Sequence, residues 1–243
     1  MANYVMSDIH GEYDMFQELL KQIELKKTDT LYVLGDVLDR GPHPIKTILK
    51  LMELQNCICI TGNHEVMAQE CLEFLMGDVL NISLDKMDEK MLNNLVTWQY
   101  NGSKTTIHEF RKQSLETQKA IIEFIKGFSN YKEVTVGNKN FLLVHAGLDN
   151  FKPEKDIQEY SLHDLVWGQA DYERMYYRDK YLVTGHTPTQ SIKENPVPGA
   201  IYKHNNHIAI DCGAPYQGGR LAAYCLDSGQ EFYSSSNGDV FSD

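Results

Sequence analysis

Short apolar runs and helical stripes alternate along the first third of the chain. Tyr4 to Ser7 reads as a strand, and the apolar residues after it, Phe16, Leu19, Leu20 and Ile23, fall at i, i+3, i+4 and i+7, the spacing of one helix face. Leu31 to Leu34 reads as a second strand, buried and ending at Gly35. Ile45, Ile48, Leu49 and Met52 repeat the helical spacing, with Pro44 in the first turn, where its missing N–H costs nothing. Cys57 to Thr61 is a third strand. Strand, helix, strand, helix, strand predicts parallel pairing with helices packed outside, and so an α/β fold class.

The pattern then changes. From about residue 66 to residue 128 it is helical and polar, with Met91, Leu92, Leu95, Ile121, Ile122 and Ile125 supplying apolar faces, which predicts a helical insertion. Strands resume at Glu133–Val136, Phe141–His145, Tyr181–Thr184, His207–Asp211 and Leu221–Leu226. No repeat, low-complexity tract or Pro/Gly/Ser linker separates the halves, so residues 1–243 are expected to form one domain.

Composition narrows the function classes. With 42% hydrophobic residues, a 243-residue chain can bury a sizeable core. A formal net charge of -11 repels a phosphate backbone, so nucleic acid is not an expected partner. No apolar run approaches the length that spans a bilayer, and the N-terminus lacks the basic and apolar regions of a secretory signal; a cytoplasmic location, with no membrane partner, is the expectation. The five cysteines are odd in number and show no CxxC spacing, which reads as reduced thiols.

Five short motifs each follow a predicted strand: Asp8-Ile9-His10, Gly35-Asp36-Val37-Leu38-Asp39-Arg40-Gly41, Gly62-Asn63-His64-Glu65, His145-Ala146-Gly147 and Gly185-His186. In an α/β sheet, ligands bind beyond the carboxyl ends of the strands, so five such motifs can converge on one crevice. Carboxylate, amide and imidazole donors without clustered thiolates suit Mn, Fe or Zn. The set is large enough for two ions, and Asp36, with two oxygens, can bridge them. Taken singly, each motif has a structural explanation; Asn63 could simply cap a helix beginning near Glu65. The ordered set of five makes coincidence a poor account.

That ordered set, D-x-H, G-D-x-x-D-R-G, G-N-H-E, H-A-G and G-H, resembles the PPP family of metallophosphoesterases from Asp8 to about Leu226. The chain's short length and Trp98-Gln99-Tyr100-Asn101-Gly102 are similar to the bacterial and phage branch of serine/threonine protein phosphatases. The resemblance implies a calcineurin-like fold, a central β-sandwich flanked by helices, with two divalent transition-metal ions, Mn first and Fe or Zn next. It implies that Asp8 and His10 ligate one ion, that Asp36 bridges, and that Asn63, His145 and His186 ligate the other. His64 is then the general acid, oriented by Asp39, while Arg40 and Asn63 bind the phosphate of a phosphoprotein or small phosphoester. Phosphorus is attacked in line by a hydroxide held between the ions. A diadenosine-polyphosphate hydrolase, or a weakened metal- or phosphoprotein-binding module, are the alternatives; Glu65 and the second Asp of G-D-x-x-D-R-G favour the phosphatase.

The chain departs from the pattern at Gln169, where bacterial members commonly carry a second phosphate-clamping arginine two residues after a tryptophan; Arg174 or Arg178 could replace it. His204 and His207 flank Asn205-Asn206 and are expected to be solvated beside a turn. Tyr172, Tyr176, Tyr177 and Tyr181 are read equally well as packing or as cleft residues.

Overall fold

The three N-terminal strands do lie parallel, in register from Asn3 against Thr30 to Met6 against Val33, and from Leu31 against Cys57 to Val33 against Cys59. The computed structural model of the chain describes residues 1–76 and 88–238; residues 77–87, part of the expected insertion, lie outside the described residues. In chain order the strands are β1 (Asn3–Met6), β2 (Thr30–Val33), β3 (Cys57–Cys59), β4 (Tyr131–Val136), β5 (Lys139–Val144) and β6 (Lys180–Thr184). They are followed by β7 (Tyr202–His204), β8 (His207–Ala209), β9 (Ala222–Cys225) and β10 (Glu231–Tyr233). The helices are α1 (Tyr13–Gln22), α2 (Pro44–Glu53), α3 (Asn63–Leu75), α4 (Glu89–Tyr100), α5 (Lys104–Phe110), α6 (Leu115–Lys126) and α7 (Leu162–Val166).

The strands form two mixed sheets, ordered β10-β9-β1-β2-β3 and β4-β5-β6-β8-β7. Side-chain alternation explains how they stack. Val5 and Tyr32 face the second sheet and meet Phe141, Leu143, Val183 and Ile208, while their neighbours Met6, Leu31 and Val33 face the helices and meet Phe16, Leu19, Ile45, Ile48 and Leu51. A strand buried on both faces needs apolar residues at every position, which is why these strands read as continuous runs. Leu142, Val144 and Leu182, on the far face of the second sheet, pack under Leu165 and Val166 of α7. The result is a two-sheet α/β sandwich flanked by helices.

Several expectations change. Leu92 does not serve a core face; it is 50% exposed, whereas Met91 and Leu95 pack against the core. The helical region starts at Asn63 itself, because Gly62 takes the N-cap position and the Glu65 carboxylate reaches back to its N–H. β10 and α7 are too short and too mixed in polarity to stand out in the sequence. His207 is buried rather than solvated: Asn205 and Asn206 form the left-handed turn, but β8 turns His207 inward, where its Nε2 meets Thr184 Oγ1 at 2.9 Å and its ring stacks on Tyr172. Burial lowers its pKa to about 4. Tyr176 and Tyr177 pack edge-on against Phe151, and Tyr181 stacks on Phe141, so packing accounts for these three.

Leu143 has no exposed surface and sits between the sheets. Leu143→Ala is expected to lower unfolding stability by about 2–5 kcal/mol, read from guanidinium unfolding at unchanged denaturant slope.

Candidate metal centre

The five motifs leave the carboxyl ends of β1, β2, β3, β5 and β6 and meet in one place. The turn after β2 is built on a buried carboxylate. Glu65 Oε2 accepts the N–H of Asp36 at 2.8 Å and of Gly62 at 3.0 Å, and Oε1 accepts those of Val37 at 2.9 Å and Leu38 at 3.3 Å. Burial, reinforced by the Asp36 charge, pushes the Glu65 carboxyl up to about 7. Gly62 is required beside it, since a side chain there would run into the Asp36 carboxylate and backbone.

Backbone strain is concentrated in the same turns. Of the ten non-glycine residues with positive φ among those described, six are Asp8, His10, Asp36, Asp39, Arg40 and His186. Each non-glycine residue in the left-handed region costs about 1–3 kcal/mol, so the surrounding hydrogen bonds must hold these conformations in place. They do: Asp8 N–H donates to Gly35 O, His10 N–H to Asp36 O, and His186 N–H to Asp8 Oδ2 at 2.9 Å.

Two clusters of donors result, each with its ligand atoms within 4.8 Å of one another: His10, Asp36 and His64, and Asp36, His145 and His186. Asp36 belongs to both. His10 Nδ1 donates to Leu38 O at 2.8 Å and His145 Nδ1 to Leu34 O at 2.6 Å, which turns both Nε2 lone pairs inward. His145 Nε2 then faces Asp36 Oδ1 at 3.4 Å and Asn63 Oδ1 at 2.9 Å, and Asn63 Oδ1 faces His186 Nδ1 at 3.0 Å. Burial holds His145 below its ordinary pKa and takes His186 to about 4, so both rings favour the neutral form. Neutral imidazoles, an amide oxygen and a carboxylate converge as acceptors, and a cation between them satisfies all at once. This donor chemistry fits two divalent ions. Burial would raise the Asp36 carboxyl, but the imidazoles of His145, His64 and His10 around it outweigh burial and hold it below the usual carboxylate range.

Asp8 stands outside both clusters. Its carboxyl is raised well above the usual range by burial, then by Asp211 and Asp36, and one oxygen is engaged by the His186 N–H. Asn63 does not cap α3; its side chain is spent on the two histidines. His64 Nδ1 lies 2.6 Å from Asp39 Oδ2, which also accepts from Trp98 Nε1 at 2.7 Å, while Asp39 Oδ1 accepts from Thr106 Oγ1 at 2.6 Å. Burial alone would lower the His64 pKa, but the Asp36 and Asp39 charges outweigh it and raise it. Arg40 spans the mouth, with Nη1 3.0 Å from His10 Nε2 and Nη2 3.1 Å from His64 Nε2.

The profile of the calcineurin-like phosphoesterases matches residues 3–219. The chain belongs to that family. It is 26% identical over 265 positions to a bis(5'-nucleosyl)-tetraphosphatase [asymmetrical] of Oceanobacillus iheyensis, covering 98% of this chain and 93% of the relative. It is 27% identical over 234 positions to serine/threonine-protein phosphatase 2 of Escherichia coli, covering 91% of each. Among solved structures it resembles a protein serine/threonine phosphatase from Saccharomyces cerevisiae, with TM-score 0.58 and 13% identity over 99% of this chain and 82% of that one. A metallophosphoesterase from Sphaerobacter thermophilus gives TM-score 0.55 and 15% identity over 98% and 90%. At those identities the two structures establish the fold.

This calcineurin-like phosphoesterase has further residues at the centre that the motifs do not reveal. Asp211 follows β8 as the other motifs follow their strands; it is buried, its carboxyl is pushed up to about 7 by burial, and Oδ1 accepts the Gly213 N–H at 2.8 Å. Its signal was the polar Asp211-Cys212-Gly213 after an apolar run. Tyr216 had no signal: 47% exposed on the next loop, it accepts a hydrogen bond from Arg40 Nη1 at 2.9 Å. Gln169 is exposed two residues beyond Trp167, whose ring edge meets His186 at 6.3 Å. Arg174 pairs with Asp171 at 3.4 Å and lies over Phe151 and Tyr176, and Arg178 is exposed. Among the described residues, no ion pair or hydrogen bond joins either side chain to the centre.

Glu65→Gln replaces an acceptor of four N–H groups by an amide that presents its own donors to them. Unfolding stability is expected to fall by about 2–4 kcal/mol, with weaker binding of divalent ions in titration calorimetry.

Proposed function

We propose that this phosphoester hydrolase is a serine/threonine protein phosphatase working with two Mn-class ions. The observation that carries the reading is the His64–Asp39 pair: a carboxylate fixed by Trp98 and Thr106 holds the imidazole by Nδ1 and aims Nε2 into the cluster around Asp36. The retained Asp39 and Glu65 support the protein-phosphatase branch over the nucleotide hydrolases. Asp8, His10 and Asp36 would hold one ion, and Asp36, Asn63, His145 and His186 the other. When bound, the ions supply Lewis-acid charge to the phosphate oxygens and lower the pKa of water.

The chain's own residues supply the rest. Arg40, steadied by Tyr216, has its Nη1 and Nη2 at the mouth of the centre, where they can donate to two oxygens of one phosphate. His64, favoured in its charged form by Asp36 and Asp39, holds a proton at Nε2 and delivers it to the departing serine or threonine alkoxide. A diadenosine-polyphosphate hydrolase is the second reading, favoured by the similarity to the asymmetrical tetraphosphatases. The free cysteines support a reducing, cytoplasmic setting.

Elemental analysis of the Mn-reconstituted protein is expected to give about two ions per chain. His64→Asn is expected to keep those ions and slow hydrolysis of alkyl phosphates by about 10²–10⁴, with a smaller loss for aryl phosphates, whose leaving groups need no proton. A side-by-side panel of phosphoserine, phosphothreonine and phosphotyrosine peptides and diadenosine tetraphosphate decides the substrate; preference for the nucleotide would reject the phosphatase reading.

A further inference from the structure

Helix α5 has two faces with different duties. Its inner face is committed to the fold: Thr106 Oγ1 donates to Asp39, and Glu109 accepts the Ile45 N–H at 2.9 Å at the start of α2. Its outer face carries Lys104 and His108, and the turn that follows it carries Arg111 and Lys112, all exposed. These four residues, with Gln99, Ser103, Thr105 and Ile107, line one open groove of about 740 Å³.

Three features mark the groove as a binding surface. The chain carries a net charge of -11, yet this groove gathers three fixed cations and a histidine, and among the described residues no acidic one lines it. Among the described residues Lys104, Arg111 and Lys112 enter no ion pair, so their charges are available to a ligand. Ser103, with no exposed surface, and Thr105 each bury a hydroxyl oxygen that has no hydrogen-bond partner, a cost that an incoming polar group can relieve. The loop that leads into α5 also touches the centre. Arg40 N–H donates to Gly102 O at 3.0 Å, and Gly102 passes so close to the Arg40 side chain that a Cβ there would touch it.

We propose that this groove binds the acidic residues flanking the phosphorylated serine or threonine of a protein substrate; the proposal rests on the phosphatase reading. The spacing suits an extended peptide. From Lys104 to Lys112, along α5 and the turn after it, the cations span about 12 Å at the helical rise per residue. At about 3.3 Å per extended residue, that length matches about four peptide residues. The groove lies on the far side of α5 from Asp39, about one helix diameter or 10 Å, so the acidic residues sit about three or more positions from the phosphate. A base finds few rings to stack on: among the described residues His108 is the one ring lining the groove, and the exposed Tyr100 lies with Val96 in an adjoining recess that shares Gln99.

The test compares two phosphothreonine peptides, one with acidic and one with neutral flanks, against wild type and the triple variant Lys104→Glu/Arg111→Glu/Lys112→Glu. The wild type is expected to turn over the acidic peptide with a KM about tenfold lower than the neutral one, an advantage that shrinks in high salt. In the triple variant that advantage should vanish or invert, with kcat unchanged and hydrolysis of a small aryl phosphate unaltered, which also reports intact folding. An unlabelled acidic peptide without phosphate should compete in the wild type and not in the variant. Equal KM values for the two peptides in the wild type, or an acidic preference surviving the charge reversal, would overturn the groove assignment and leave the phosphatase reading standing. Failure to hydrolyse either phosphopeptide while cleaving diadenosine tetraphosphate would instead overturn the phosphatase reading, and the groove assignment would fall with it.

Discussion

Four backbone N–H groups from two turns converge on the Glu65 carboxylate, and the centre depends on that convergence. The turn after β2 carries Asp36, Asp39 and Arg40; the turn after β3 carries Asn63 and His64. Neither turn can form the other's hydrogen bonds, and an unpaired buried N–H costs about 1–3 kcal/mol. One side chain on the first turn of α3 satisfies both and fixes their separation. Because α3 packs Ala68, Cys71 and Leu72 into the helical face of the first sheet, the position of Glu65 is itself set by the core. Packing is thereby converted into the placement of the Asp36 carboxylate, which belongs to both donor clusters.

The second constraint is electrostatic. Asp8, Asp36, Glu65 and Asp211 are all buried around imidazoles that burial discourages from charging, and Asp8, Glu65 and Asp211 are raised as a consequence. Arg40 is the cation that the chain itself brings to this crowd. Divalent charge offsets the remaining repulsion, so the same arrangement that strains the backbone also makes a strong cation site.

Much of this was legible in the sequence, for identifiable reasons. The parallel strands could be read because both their faces are apolar, and the motifs because each follows such a strand. What escaped was short or depended on a distant partner. β10 pairs with β9 through three half-buried residues, and nothing in Glu231-Phe232-Tyr233 signals it. Tyr216 matters through Arg40, 176 residues away in sequence, and local pattern carries no such information. His207 was misread because the asparagine turn beside it is polar, whereas the strand it opens points it into the interior. In the sequence Trp98 stands out only through its resemblance; its N–H on Asp39 emerges once α4 is folded against α3.

The parallel crossovers have a further consequence, for how the protein matures. The His186 N–H that engages Asp8 lies 178 residues from it in sequence, and β1 is closed on one side by β9, with Tyr4 opposite Cys225. Contacts of such long range form slowly and late. A nascent chain that has exposed Asp8, His10 and Asp36 therefore has no complete cation site until β6 and β9 have joined the two sheets. Tight uptake of metal would then be confined to molecules whose topology is finished, and bound ions would latch the last contacts to form.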